Sequence, residues 1–205
     1  RNGFTTGAPV GMIVHNVDTM PQHVKEYEDV KDLIRPGHAE YTYRCKYGDY
    51  ADWCGAGRAS GRETVGRVAA GAVARKILAR EGITIVAYVK ELMDIVADVS
   101  GMSAEEREAN SLKNEIFCPD PATAEKMIEF TRQIKADGDT VGGVVEIFAT
   151  GVPPGLGEPV FDKISATLAH GLMSIPAVKG VEIGAGFHSG LMRGSECNDI
   201  PYMKD

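Results

Sequence analysis

Two hydrophobic periodicities alternate along this chain and mark out its elements. Pro9 to Val17 (Pro-Val-Gly-Met-Ile-Val-His-Asn-Val) is apolar and partly β-branched, which predicts a strand. Gly61 to Arg80 has helical periodicity. Ser60 stands as its N-cap, with Glu63 three residues on completing a capping box. This helix is apolar nearly all round (Val65, Val68, Ala69, Ala72, Val73, Ile77, Leu78), so burial on more than one side is expected. Its small residues Gly66, Ala70 and Gly71 would admit close neighbours. Gly82 ends it, and Ile83 to Leu92 follows as a strand.

Ser103 to Leu112 predicts a short charged helix. A longer one begins at Asp120 (cap) and Pro121 (first turn), with Ala124, Met127, Ile128, Thr131 and Ile134 on one face, and stops at Asp137-Gly138. Val141 to Thr150 is the next strand. A Gly/Pro-rich loop, Gly151 to Gly157, leads to a third helix from about Pro159, closed by Pro176. Val178 to Ile183 is the last strand. Strands and buried helices alternate, which gives an α/β or α+β domain. A length of 205 residues, 43% hydrophobic, suits one core and therefore a single domain over 1–205.

Charge narrows the partners. A formal net charge of -7 argues against nucleic acid or an anionic membrane as a partner, and no apolar run is long enough to span a bilayer. The balance is uneven, however. Arg35 to Arg67 holds six basic and four acidic residues, a locally positive zone that suits a small anion or an ordinary mixed-charge surface. Cys45, Cys54, Cys118 and Cys197 lack the spacing of a metal clip or redox dithiol. They read as free thiols in a reducing, cytoplasmic setting, and no metal site is expected.

Chemistry concentrates in that positive zone. Gly55-Ala56-Gly57-Arg58-Ala59-Ser60-Gly61 matches neither a dinucleotide fingerprint nor a P-loop. A glycine-rich turn before a helix still presents backbone amides at the positive end of the dipole, and arginines beside it add charge-assisted bonds. A plain capped loop is the alternative. His38 follows the Pro36-Gly37 turn, close to Arg35 and before Tyr41 and Tyr43, a setting suited to proton exchange. No serine or cysteine stands as an evident nucleophile. The side chains offer acid/base and anion-binding parts, and a cofactor would supply the harder chemistry.

These motifs together resemble the chorismate synthase family. Thr5-Thr6-Gly7-Ala8-Pro9, Arg35-Pro36-Gly37-His38-Ala39, Lys46-Tyr47-Gly48, Gly57 to Thr64 and Arg67 to Ala72 follow one another in that family's order and spacing. Gly142 to Glu146, Gly157 to Lys163, Met173 to Gly184 and Gly194 to Asp199 continue the match across essentially the whole chain. The resemblance implies an α/β fold with central helices packed between antiparallel sheets, and a cytoplasmic homotetramer. It also implies a lyase that converts 5-enolpyruvylshikimate 3-phosphate to chorismate and phosphate by anti 1,4-elimination, in the shikimate pathway. Reduced FMN is the implied cofactor, with NADPH or a separate reductase as its source of electrons. Residue by residue, His38 matches a histidine of proton transfer, Arg35 and Arg62 match substrate-anion ligands, and Arg58, Ala59 and Ser60 match a segment of the flavin site.

Departures accompany the match. A family histidine motif belongs before Arg1, and a C-terminal third with a flavin loop and a substrate site belongs after Asp205. Cys54 and Ala51 stand where many members have arginine. Impaired turnover of this chain on its own is therefore expected. Two alternatives stay open: a remnant that binds flavin or a phosphorylated ligand without turnover, and a structural core that only folds and oligomerises.

Overall fold

The structure is a computed structural model that describes residues 4–17 and 20–201. Contacts divide the chain into two compact units, Gly71–Pro154 and a second made of the segment up to and including Ala70 and the segment from Gly155 onward. The element types are those of a mixed α/β chain.

The Gly71–Pro154 unit carries the sheet. β1 (Thr84–Leu92) lies between β2 (Ile95–Val96) and β3 (Gly143–Thr150), antiparallel to both. Thr84 pairs with Thr150 and Leu92 with Gly143, with a bulge between Val89 and Glu91. Alternate β1 residues Val86 and Tyr88 turn inward, as a two-residue period requires. They meet Ala97, Val99, Ala104, Cys118, Ala124 and Met127 in one buried cluster. α4 (Ala104–Ser111) packs on β1 and α5 (Pro121–Ala136) on β2.

Both helices start where the sequence predicts. Ser103 and Glu106 form a reciprocal capping box: the Ser103 hydroxyl accepts from the Glu106 N–H at 3.2 Å, and the Glu106 carboxylate accepts from the Ser103 N–H at 2.8 Å. Asp120 caps α5, accepting from the amides of Ala122 and Thr123 and from the Thr123 hydroxyl at 2.6 Å. That hydroxyl bond, joined by the amides, holds the Asp120 carboxyl below the usual carboxylate range.

In the other unit lie α1 (Pro21–Asp29), α2 (Glu40–Tyr47), a two-stranded hairpin of β4 (Gly157–Glu158) and β5 (Asp162–Lys163), α6 (Ile164–Met173) and the short α7 (Gly194–Cys197). α3 (Thr64–Arg80) contains the boundary between the units.

Five expectations are corrected. Residues 9–17 are exposed coil, and Val178 to Ile183 contains no strand. Val and Ile favour a pleated surface only when a partner strand provides one, and among the described residues none pairs with either segment. The third helix begins at Ile164 rather than near Pro159, because the β4–β5 hairpin occupies the intervening residues. α3 buries no residue: Val68 is 71% exposed and Ile77 60%. Finally, the Ser60–Glu63 box does not close. The Ser60 hydroxyl accepts from the Arg62 N–H at 3.3 Å, while the Glu63 carboxylate is drawn to Arg58.

Candidate functional site

The sequence-predicted residues all fall between Arg35 and Arg62, in the unit that holds α1, α2 and α6. Gly37, at φ 73°, turns the chain so that the His38 N–H reaches the Arg35 carbonyl at 3.2 Å. α2 starts two residues later, and Glu40 occupies its first turn, where negative charge is favoured by the helix dipole. The turn brings Arg35, His38 and Glu40 together. Arg35 donates to Glu40 Oε1 through Nε at 3.0 Å and Nη2 at 2.5 Å, and its backbone N–H donates to Oε2 at 3.2 Å. This pairing lowers the proton affinity of the Glu40 carboxyl and raises that of the guanidinium. His38 Nδ1 lies 3.8 Å from Glu40 Oε1, is shielded from solvent, and makes no hydrogen bond.

The glycine-rich segment is an irregular turn with three consecutive positive φ values: Gly55 at 69°, Ala56 at 67° and Gly57 at 48°. Asp52 anchors its entry by accepting from the Cys54 N–H at 3.0 Å. A Cβ at position 57 would come within 2.7 Å of the Asp52 Cβ, and the φ/ψ of 48°, −124° is one that side-chain-bearing residues avoid. Gly57→Ala is therefore expected to destabilise this unit by about 2 kcal/mol. Urea unfolding followed by the fluorescence of Trp53, the chain's single tryptophan, would register it as a lowered midpoint. An unchanged midpoint would show that the turn rearranges without cost.

Arg58 and Arg62 each face a carboxylate. Arg58 Nη1 donates to Glu63 Oε2 at 3.2 Å and Arg62 Nη2 lies 3.7 Å from Asp52 Oδ2. Even so, the Arg58 side chain remains 84% exposed. Next to this segment is a cavity of about 320 Å³, lined among others by Tyr27, Leu33, Arg35, Tyr43, Arg44 and Trp53. Such a volume is at the small end for a ligand pocket. Of the residues singled out in the sequence, Arg35 lines it, while His38, Arg58, Ala59, Ser60 and Arg62 do not.

Sequence reasoning missed two residues that organise this region. Glu40 had a signal: an acid two positions after His38 at a helix start. Arg67 had none, because its partner is 107 residues away. Its Nη2 donates to the Ser174 carbonyl at 2.7 Å and hydroxyl at 3.1 Å, and Nε adds a bond at 3.3 Å, tying the start of α3 to the end of α6. Among the described residues no group of three or more His, Cys, Asp or Glu could hold a metal ion, and no helix is long and apolar enough to cross a membrane.

The fold defines a class: an α/β protein with an antiparallel sheet, in which Arg35, His38 and Glu40 cluster at the start of α2. Comparison with known proteins takes this further. The family model for chorismate synthase matches residues 1–204, and the chain belongs to that family. It is 56% identical to the chorismate synthase of Acetivibrio thermocellus over 98% of this chain and 51% of that protein. It is 50% identical to that of Chloroflexus aurantiacus, over 98% and 52%. Against the chorismate synthase of Methanosarcina mazei it is 49% identical over 99% and 54%. A crystal structure of chorismate synthase superposes with a TM-score of 0.70 at 34% identity, covering 77% of this chain and 50% of the other. The chain thus spans about half the length of the curated relatives it matches.

Proposed function

We propose that this chain carries part of the active site of a chorismate synthase, a lyase that eliminates phosphate from 5-enolpyruvylshikimate 3-phosphate with reduced FMN. The observation that carries this proposal is the Arg35–His38–Glu40 cluster. It sets an imidazole with an unbonded, shielded Nδ1 beside a guanidinium suited to a phosphate or carboxylate. His38 serves proton transfer at its ring nitrogens. Arg35 and Arg62 bind and orient the substrate's anionic groups, whose charge grows as phosphate departs.

Arg58, Ala59 and Ser60 hold the flavin. The donor set fits that group: an exposed guanidinium for its phosphate, next to a tight turn in which Gly57 has no room for a Cβ against Asp52. Bound reduced flavin supplies transient electron donation to a substrate whose overall conversion involves no net redox change. NADPH is the proposed source of its reduction. The assembly we propose is a cytoplasmic homotetramer, with turnover by this chain alone below that of relatives twice its length.

The test is chorismate formation from 5-enolpyruvylshikimate 3-phosphate, under anaerobic conditions with chemically reduced FMN. Product is the expected outcome. A folded chain that binds FMN saturably and forms no product would reduce the proposal to a binding role, and one that binds neither flavin nor substrate would remove it.

A further inference from the structure

The geometry points to Glu40 as an internal stand-in for the anionic ligand and a positioning residue for His38, released from Arg35 to the imidazole when a phosphate or carboxylate takes its place. It rests on the assignment of Arg35 to a substrate anion. Three observations support it. First, Glu40 Oε1 occupies the Nε–Nη2 edge of Arg35, the edge by which arginine grips a phosphate or carboxylate in two-point fashion. A ligand cannot use that edge while Glu40 does.

Second, His38 Nδ1 is shielded from solvent and unbonded, a state that costs free energy wherever a polar atom is kept in it. Third, the same Oε1 stands 3.8 Å from Nδ1, less than 1 Å outside hydrogen-bond range. Rotation of the Glu40 side chain would close that gap once Arg35 lets go. One carboxylate thus has two claimants, and Arg35 holds it at present. A glutamate is ordinarily ionised near neutral pH, so Glu40 can serve as an acceptor for either claimant.

The consequence is chemical. A neutral imidazole carries one proton, on Nδ1 or on Nε2. A carboxylate accepting from Nδ1–H fixes the proton there and leaves the Nε2 lone pair free as a base. No proton is gained or lost; solvent exchange redistributes it between the two nitrogens. The anion would therefore prepare the histidine as it binds, and the base would be set only when there is something to act on. The charged and titratable groups facing this exchange are Arg35, Glu40, His38 and the phenol of Tyr27, which acts on Arg35, with Lys31, Tyr43, Arg44 and Asp52 lining the same cavity.

The experiment uses the full chain labelled with ¹⁵N, at about pH 8, where imidazole is ordinarily neutral. The His38 ring ¹⁵N shifts, which distinguish the two tautomers, are followed as inorganic phosphate is added. Phosphate should move His38 toward the Nδ1–H form. Arg35→Ala, which frees Glu40, should show that form without phosphate. Glu40→Ala should lose the response and bind phosphate about two- to fivefold more tightly, the range expected from removing a partly exposed competing ion pair. Glu40→Gln, which keeps the shape, should bind phosphate more tightly too, with a tautomer that phosphate does not change.

If phosphate binds the wild-type chain while the ring shifts stay still, or Arg35→Ala leaves the tautomer as in wild type, the exchange is overturned and the anion site stands. If Arg35→Ala binds phosphate as well as wild type does, the anion site itself falls, and the exchange with it.

Discussion

Truncating Arg107 to alanine is expected to lower the stability of the Gly71–Pro154 unit by about 3 kcal/mol, the largest loss foreseen for any single side chain here. Arg107 is almost enclosed, at 13% side-chain exposure. Its guanidinium lies 4.3 Å from the Phe148 ring centroid and 5.7 Å from that of Tyr88. It donates to the Met102 carbonyl at 3.1 Å, the Val99 carbonyl at 3.3 Å, the Tyr88 hydroxyl at 2.6 Å and Glu146 at 3.3 Å. Alanine would remove the cation from beside two rings and take the Arg107 donor from the Met102 carbonyl, while the Val99 carbonyl keeps the Met102 N–H and Glu146 keeps the Tyr88 hydroxyl. Glu146 is 39% exposed and can recover water, which keeps the expected loss at the lower end for a broken buried pair.

Urea unfolding followed by far-ultraviolet circular dichroism would measure the loss. A change below about 1 kcal/mol would show the network to be ornamental. Arg107→Met, which fills the space without the donors, should recover only the packing share. The same network has a pH signature. Burial, then the bond to Glu146, pushes the Tyr88 phenol up to about 12. A proton held more tightly in the folded state stabilises it fully below the phenol's ordinary pKa of about 10. That contribution is lost as pH rises from there through the folded value of about 12. Tyr88→Phe should flatten this alkaline decline.

His38→Ala is expected to reduce chorismate formation by about 10²- to 10⁴-fold, the range over which a positioned acid or base accelerates a reaction. Phosphate affinity should fall far less than turnover, since Arg35 is retained and only the second claimant on Glu40 is lost. This split between turnover and binding separates a proton-transfer histidine from a merely structural one. Equal losses of turnover and phosphate binding would mean that His38 supports the fold of the turn. Unchanged turnover would mean that proton transfer in this chain uses another group.

Legibility from sequence followed how local each determinant is. Ser103 with Glu106, and Asp120 with Pro121, announce helix starts within four residues, and both helices stand there. The β1 and β3 segments were readable because their apolar residues gain a partner strand close in the chain's own fold. Residues 9–17 and 178–183 also carry Val and Ile, but among the described residues they have no such partner, and they remain coil. Ser60 and Glu63 have the right spacing for a capping box, yet Arg58 competes for the glutamate and wins. At the site, His38 and Arg35 were visible as a motif. The grip of Glu40 on Arg35 was not, because it depends on which way a side chain turns across the Gly37 bend. The Arg67–Ser174 clasp joins residues too far apart for any pattern to connect.

Among the described residues the strand order β2-β1-β3 leaves β3 bonded to one neighbour. Val144, Val145 and Ile147 are exposed along it, and the run Gly143–Thr150 holds a single charge, Glu146. That carboxylate is already committed to Tyr88 and Arg107, so it cannot act as the gatekeeper that keeps such a run from stacking. A preparation of this chain should therefore be judged for turbidity and for amyloid-type dye response before any loss of signal is attributed to unfolding.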